Sequence, residues 1–168
     1  YANVRPIRLL DGVDGPLAGR RPQDIDILFI RENTEGEYAG VGGRMAAGTP
    51  HEVALQTTVY TRRATERILR YAFDQARRRH RRLAHITKSN ALQYTAVLWD
   101  EVAAAVARDY PDVTVQKLHV DAAAYQMVLH PQWFDVMVGS NLYANILTDL
   151  GAALQGSLGL AASANLDP

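Results

Sequence analysis

Seven polar residues at apparent strand ends carry groups that could do chemistry together: Arg5, Arg31, Tyr38, Lys88, Asn90, Asp121 and Asp149. Guanidiniums grip carboxylates, a phenol and an amine move protons, and acids chelate a hard cation. That inventory suggests chemistry on a small organic acid. Asn145 and Asp149 stand four apart in a helical stretch, so they project from one face and could share one cation. Carboxylate and amide oxygens suit Mg²⁺ or Mn²⁺ better than softer metals. An amide and an acid on an exposed helix face are also commonplace, so this spacing alone leaves both readings open. None of His51, His80, His85, His119 and His130 has a partner at metal-ligand spacing. Each reads as a surface or hydrogen-bonded imidazole.

These groups need elements to hold them, and the chain is organised around Asp26 to Arg44. Ile27 to Ile30 is an unbroken apolar run, the pattern of a strand buried on both faces. Arg31, Glu32, Asn33, Glu35, Glu37 and Tyr38 follow it, interspersed with glycines. In an α/β fold ligands bind at the carboxyl ends of such strands, so this loop is a candidate pocket wall. Residues 1–10 read as strand into loop, and residues 11–22 as a turn-rich excursion. Glu52 to Tyr60 is β-rich and, with the glycine-bearing stretch before it, suggests a hairpin or arm that pairs with another copy of itself.

From Thr61, a candidate N-cap, Ile68, Leu69, Ala72, Phe73 and Ala76 form a helical stripe that ends in Arg77 to Arg82. Cations at a helix C-terminus complement the macrodipole, and no aromatic residues interleave this run, which argues against a nucleic-acid site. Strands follow at 83–87, 113–118 and 134–138. A helix runs to about Arg108, with Leu92, Val97, Leu98, Val102, Ala105 and Val106 expected inward. Further helices lead from Asp121 to Val128 and from Leu142 to about Leu154. The tail, 156–165, reads as loop or short strand. Alternating strands and helices predict an α/β layer with largely parallel pairing.

The 168 residues carry a formal net charge of zero and no cysteine. Zero net charge gives no global attraction to nucleic acid or an anionic membrane, and the absence of cysteine excludes disulfides and thiolate metal sites. There is no apolar run long enough to span a bilayer and no signal-peptide pattern, so a cytoplasmic protein with no membrane partner is expected. Both ends look cut, and the chain reads as a piece of a longer polypeptide.

The segments NVRP, RENTEGEY followed by GVGGR, TKSN, HVDAAA, and SNLYANILTDL followed by GSLG resemble, in order and spacing, the metal-dependent β-decarboxylating dehydrogenases. That family acts on isocitrate, 3-isopropylmalate, homoisocitrate, tartrate and D-malate, and the TKSN segment makes the chain most similar to the tartrate/D-malate branch. The resemblance covers essentially the whole chain. It implies an isopropylmalate dehydrogenase-like α/β fold, with residues 1–168 as a single domain, the central, smaller one of a longer enzyme. Residues 40–60 would be its β arm for dimerisation.

The resemblance also implies roles. Arg5 and Arg31 match arginines that grip the substrate carboxylates, and Tyr38 matches the tyrosine that protonates the enol carbon after decarboxylation. Lys88 matches the lysine that takes the hydroxyl proton, and Asn90 an asparagine near the nicotinamide. Asp121 matches a metal aspartate. In the family the lysine and this aspartate are lent by the neighbouring subunit of a homodimer with a shared active site. Asp149 matches the second acid of a Gly-Asp-x-x-x-Asp helix, with Asn145 standing where the first acid is expected. NAD and Mg²⁺ or Mn²⁺ are the implied cofactors, and a 2-hydroxy dicarboxylic acid the implied substrate. The Asn145 departure predicts weakened or altered metal use and leaves open a non-catalytic or regulatory dimerisation subunit. The family's remaining substrate arginine and adenosine loop match nothing in these residues, so the chain alone is expected to be inactive.

Overall fold

The computed structural model describes all of residues 1–168. The apolar run Ile27 to Ile30 becomes the middle of strand β2 (Asp26–Glu32), with Ile27, Phe29 and Ile30 fully buried. Its neighbours are β1 (Ala2–Arg8), antiparallel, and β7 (Val136–Gly139), parallel. Beyond β7 lie β5 (Arg82–Thr87) and β6 (Thr114–His119), both parallel to it, while β8 (Ala164–Leu166) pairs antiparallel with β1. The six-stranded order is β6-β5-β7-β2-β1-β8. The parallel strands β6, β5, β7 and β2 therefore end at one edge, the place where an α/β sheet receives ligands.

Alternate residues of β2 serve two cores. Ile30 packs with Ile68, Leu69 and Phe73 of α1 (Arg62–Arg77) and with Trp99 and Val102 of α2 (Thr95–Ala107). Ile27 and Phe29 pack with Ala123 and Met127 of α3 (Val120–Leu129) and with Ala144 and Leu147 of α4 (Asn141–Leu154). Each fully buried Ile or Phe contributes about 1.5–3 kcal/mol. This two-sided burial is why β2 is apolar without alternation. Thr61 caps α1 as expected, its side chain accepting from the Ala64 amide.

The inward face of α2 differs from the sequence expectation. Ala96, Trp99, Val102, Ala103 and Val106 are buried, whereas Ala105 points to solvent and Leu92 lies before the helix begins. Nearly every position of this helix is apolar, so periodicity gives its orientation no purchase. The basic run after α1 is tied into the fold. Arg77 pairs with Asp112, and Arg79 bridges Asp26 and buried Asp135. No helix is long and apolar enough to cross a membrane.

The glycine-bearing stretch and the β-rich segment form a two-stranded ribbon outside the main sheet, β3 (Gly36–Met45) with β4 (Val53–Val59). It starts earlier than position 40, so Tyr38 lies at its base. Val41, Met45, Val53 and Leu55 are exposed along it.

Asp100 of α2 links β5 and β6, the strands that lead to Lys88 and Asp121. His85 of β5 lies opposite Lys117 of β6. Asp100 meets His85 Nε2 at 3.0 Å through one oxygen and Lys117 Nζ through the other. Burial opposes ionisation of Asp100, but the bonds from His85 and Lys117 outweigh it and hold the carboxyl far below the usual carboxylate range. Because the folded-state pKa is depressed, this stabilisation is complete above the unfolded value of 3.8 and is lost as pH falls towards the lower folded value. Asp100→Asn is expected to cost about 1–3 kcal/mol at pH 7 and to flatten the decline of melting temperature with pH below about pH 4, read by calorimetry. An unchanged acid limb would contradict the linkage.

Candidate active site

Helix α4 begins where β7 ends, and one of its faces carries Asn141, Asn145, Thr148 and Asp149. Spacings of four, three and one residues keep these side chains on adjoining rows. That face lies over the carboxyl end of β2 and the middle of β1. Asn3 and Arg31 are register partners across the two strands and point to the same side.

Arg31 is held by two amides, through one N–H from each of its three nitrogens. Its Nε and Nη2 donate to Asn141 Oδ1 at 2.9 and 2.6 Å, and its Nη1 donates to Asn145 Oδ1 at 2.5 Å. Asn141 in turn donates through Nδ2 to the Glu35 carbonyl at 3.0 Å, which settles which end of its amide faces the arginine. Arg5 approaches from β1. Its Nε donates to Asn3 Oδ1 at 2.8 Å, its Nη1 to Thr148 Oγ1 at 2.7 Å and its Nη2 to Asn145 Oδ1 at 3.4 Å. Asp149 Oδ1 stands 3.7 Å from Arg5 Nη1, beyond hydrogen-bond reach, on a side chain that is 61% exposed. Burial first, and the Arg5 charge second, lower the Arg31 pKa from its ordinary value.

Tyr38 reaches the same place by way of a tight turn. Gly36 takes φ +91°, and a Cβ there would sit 3.2 Å from the Tyr60 ring and 3.4 Å from Asn141 Cβ, so only glycine lets the chain reverse against α4. The turn is fastened at several points. Buried Glu32 accepts from the Thr34 and Glu35 amides, both at 2.9 Å. Glu37 accepts from the Leu142 amide at the start of α4 and from the Tyr60 hydroxyl, at 3.2 and 3.0 Å. An anion at a helix N-terminus is favourable there. The outcome is an exposed Tyr38 ring with the Arg31 guanidinium carbon 5.6 Å from its centroid.

Arg5, Arg31, Tyr38, Asn145 and Asp149 are thus brought together. Lys88, Asn90 and Asp121 are not. Lys88 follows β5 and pairs with Asp121, at the start of α3, at 2.6 Å. That bond holds the Asp121 carboxyl below the usual carboxylate range. Asn90 is exposed on the turn after Lys88. The strand order puts β7 between β2 and β5 and both between β2 and β6, so this second group lies about 10–15 Å along the sheet edge from Arg31.

Asn3, Asn141 and Thr148 orient the arginines and were not among the residues expected from sequence. The spacing of Asn141, Asn145 and Thr148 on one helical face is the signal that could have found them. A hollow of about 300 Å³ adjoins the site, lined by Arg5, Thr148, Asp149, Gln155 and Ser163 among others. A larger one of about 450 Å³ lies at the opposite ends of the strands, where Arg8 and Asp26 pair with each other.

No three acidic or histidine side chains converge within the chain. The donor chemistry still fits a hard cation if carboxylates come from two copies, since Asp149 and Asp121 are both exposed and supply oxygen. Asn145 adds only a neutral oxygen already engaged by both arginines. The exposed Asn90 amide offers a donor and an acceptor that fit a nicotinamide carboxamide.

The family described as isocitrate/isopropylmalate dehydrogenase matches residues 1–168. The chain is 51% identical to a D-malate dehydrogenase [decarboxylating] of Escherichia coli, over all of this chain and 47% of that protein. It is 52% identical to a 3-isopropylmalate dehydrogenase of Thermobifida fusca, over all of this chain and 48% of that protein. A crystal structure of isocitrate dehydrogenase from Methylococcus capsulatus superposes with a TM-score of 0.91 at 42% identity, covering 99% of this chain and 48% of the other. The chain spans about half the length of the curated relatives it matches.

Proposed function

The chain belongs to the isocitrate/isopropylmalate dehydrogenase family, and from that premise we propose that the whole protein oxidises and decarboxylates a 2-hydroxy dicarboxylic acid such as D-malate or tartrate. The observation that carries this reading is the convergence of Arg5 and Arg31 on Asn145 with Tyr38 alongside. Two planar forks, one at the end of β2 and one in the middle of β1, suit the two carboxylates of such an acid.

NAD⁺, when bound, would supply the hydride acceptor, and Asp149, Asn145 and the partner copy's Asp121 would hold the Mg²⁺ or Mn²⁺ that supplies positive charge to the substrate oxygens. Arg5 and Arg31 hold the two carboxylates and so orient the C2–H bond, and Asn90 would offer its amide to the nicotinamide carboxamide. Lys88 takes the hydroxyl proton as the C2 hydride leaves. The bond to the β-carboxylate then breaks, releasing CO₂, and its electron pair forms the enolate, whose carbon Tyr38 protonates.

Lys88, Asn90 and Asp121 would meet the arginines of a second copy. Their separation from Arg31 within one chain supports this arrangement, as does a ribbon with exposed apolar residues suited to pairing between copies. The whole protein, given D-malate or tartrate with NAD⁺ and Mn²⁺, is expected to produce NADH and CO₂ in equal amounts. NADH without CO₂ from D-malate would overturn the decarboxylating reading. The neutral Asn145 favours a second reading, a non-catalytic or regulatory dimerisation subunit, which dicarboxylate binding without turnover would establish.

A further inference from the structure

Every acceptor that Arg5 and Arg31 hydrogen-bond is neutral. Arg31 donates only to the Asn141 and Asn145 amides, and Arg5 only to Asn3, Thr148 and Asn145. The two guanidiniums share a single oxygen, Asn145 Oδ1, so like charges are held side by side. Asp149 stands 3.7 Å from Arg5 on a solvent-facing side chain and makes no hydrogen bond to either guanidinium. Lys88 and Asp121 form a neutral pair wherever they are brought in. Neither guanidinium therefore has a hydrogen-bonded counter-ion, at a place partly withdrawn from water, where unbalanced charge is costly.

An acid at position 145 would change that balance. It would accept the same hydrogen bonds as charged ones, give both guanidiniums a bonded counter-ion and compete with an incoming carboxylate for both forks. A dianionic ligand would then need a cation to accompany it. With asparagine, the forks remain pre-aligned and the ligand itself is the missing counter-charge.

We propose that Asn145 uncouples ligand binding from the metal: the Arg5–Arg31 fork, yoked by a neutral amide, captures a hydroxy dicarboxylate without any divalent cation. This rests on the substrate class proposed above and adds the order of events, with the organic anion able to enter a metal-free site.

Titration calorimetry on the whole protein tests it, with D-malate and tartrate as probes in EDTA and again in Mn²⁺. The unaltered protein is expected to bind with a Kd in EDTA within about threefold of that in Mn²⁺. Asn145→Asp is expected to bind about tenfold or more weakly in EDTA and to recover in Mn²⁺. Asn145→Ala, which removes the shared oxygen but keeps the charge, is expected to bind more weakly in both while staying indifferent to Mn²⁺. Binding by the unaltered protein only when Mn²⁺ is present would overturn the uncoupling and leave the substrate class standing. Binding of neither acid in either buffer would overturn the substrate class and the uncoupling with it. Metal dependence unchanged by Asn145→Asp would show that charge at this position does not set the requirement, which also overturns it.

Discussion

In the whole protein, Arg31→Lys is expected to lower kcat/KM for the hydroxy acid by about two orders of magnitude or more, although the charge is conserved. The reason is geometric. Arg31 spends Nε and Nη2 on Asn141 and Nη1 on Asn145, which fixes the guanidinium plane over the end of β2. A lysine ammonium reaching the same place is a point charge on a flexible stem, unable to satisfy both amides or present a planar edge to a carboxylate. Losing one partner of a desolvated, hydrogen-bonded charge pair costs about 2–5 kcal/mol, which sets the size of the effect. Steady-state kinetics should place the loss in both kcat and KM, because the proposed role of the fork is both to bind the substrate and to aim it. A change within threefold would mean that Arg31 does not touch the substrate.

Lys88→Met is expected to reduce kcat by about two to four orders of magnitude with a much smaller change in KM, as for loss of a general base. Methionine is close in length and keeps the packing beside Asp121, so the fold should survive. Asp121 would lose the partner at 2.6 Å that holds its carboxyl below the usual range, and its pKa should rise towards the ordinary value. NMR titration of that carboxyl gives a readout independent of turnover. A Lys88→Met protein with near-normal kcat would remove Lys88 from the proton path.

Much of this architecture was legible in the amino-acid sequence because it rests on local pattern. The two-sided burial of β2 follows from an apolar run without alternation, the start of α1 from Thr61, and the ribbon from its glycine-bearing and β-rich halves. The direction faced by α2 was not legible, because its apolar residues nearly encircle it and only the tertiary placement of Trp99 decides the inward side. The positions of Asn145 and Asp149 on one helical face were also legible. The partners of Asn145 were not. A pair four apart can serve a cation or a guanidinium equally well, and the choice depends on strands that bring Arg31 and Arg5 from 114 and 140 residues away. Long-range pairing of this kind leaves no trace in local spacing. The Asn3, Asn141 and Thr148 supports are small polar residues of ordinary type, identifiable only once the arginines are in place.

The central claim is that two half-sites, Arg5–Arg31–Tyr38 on one copy and Lys88–Asp121 on the other, compose one catalytic centre. Mixing and reassembling whole-protein Arg31→Met with Lys88→Met, each nearly inactive alone, tests it most directly. Equal mixing makes about half of the dimers hybrid, each with one intact centre and one doubly altered, so about a quarter of the unaltered activity should return. If both half-sites came from one chain, every centre in every dimer would carry one lesion, and the mixture would stay as inactive as its components.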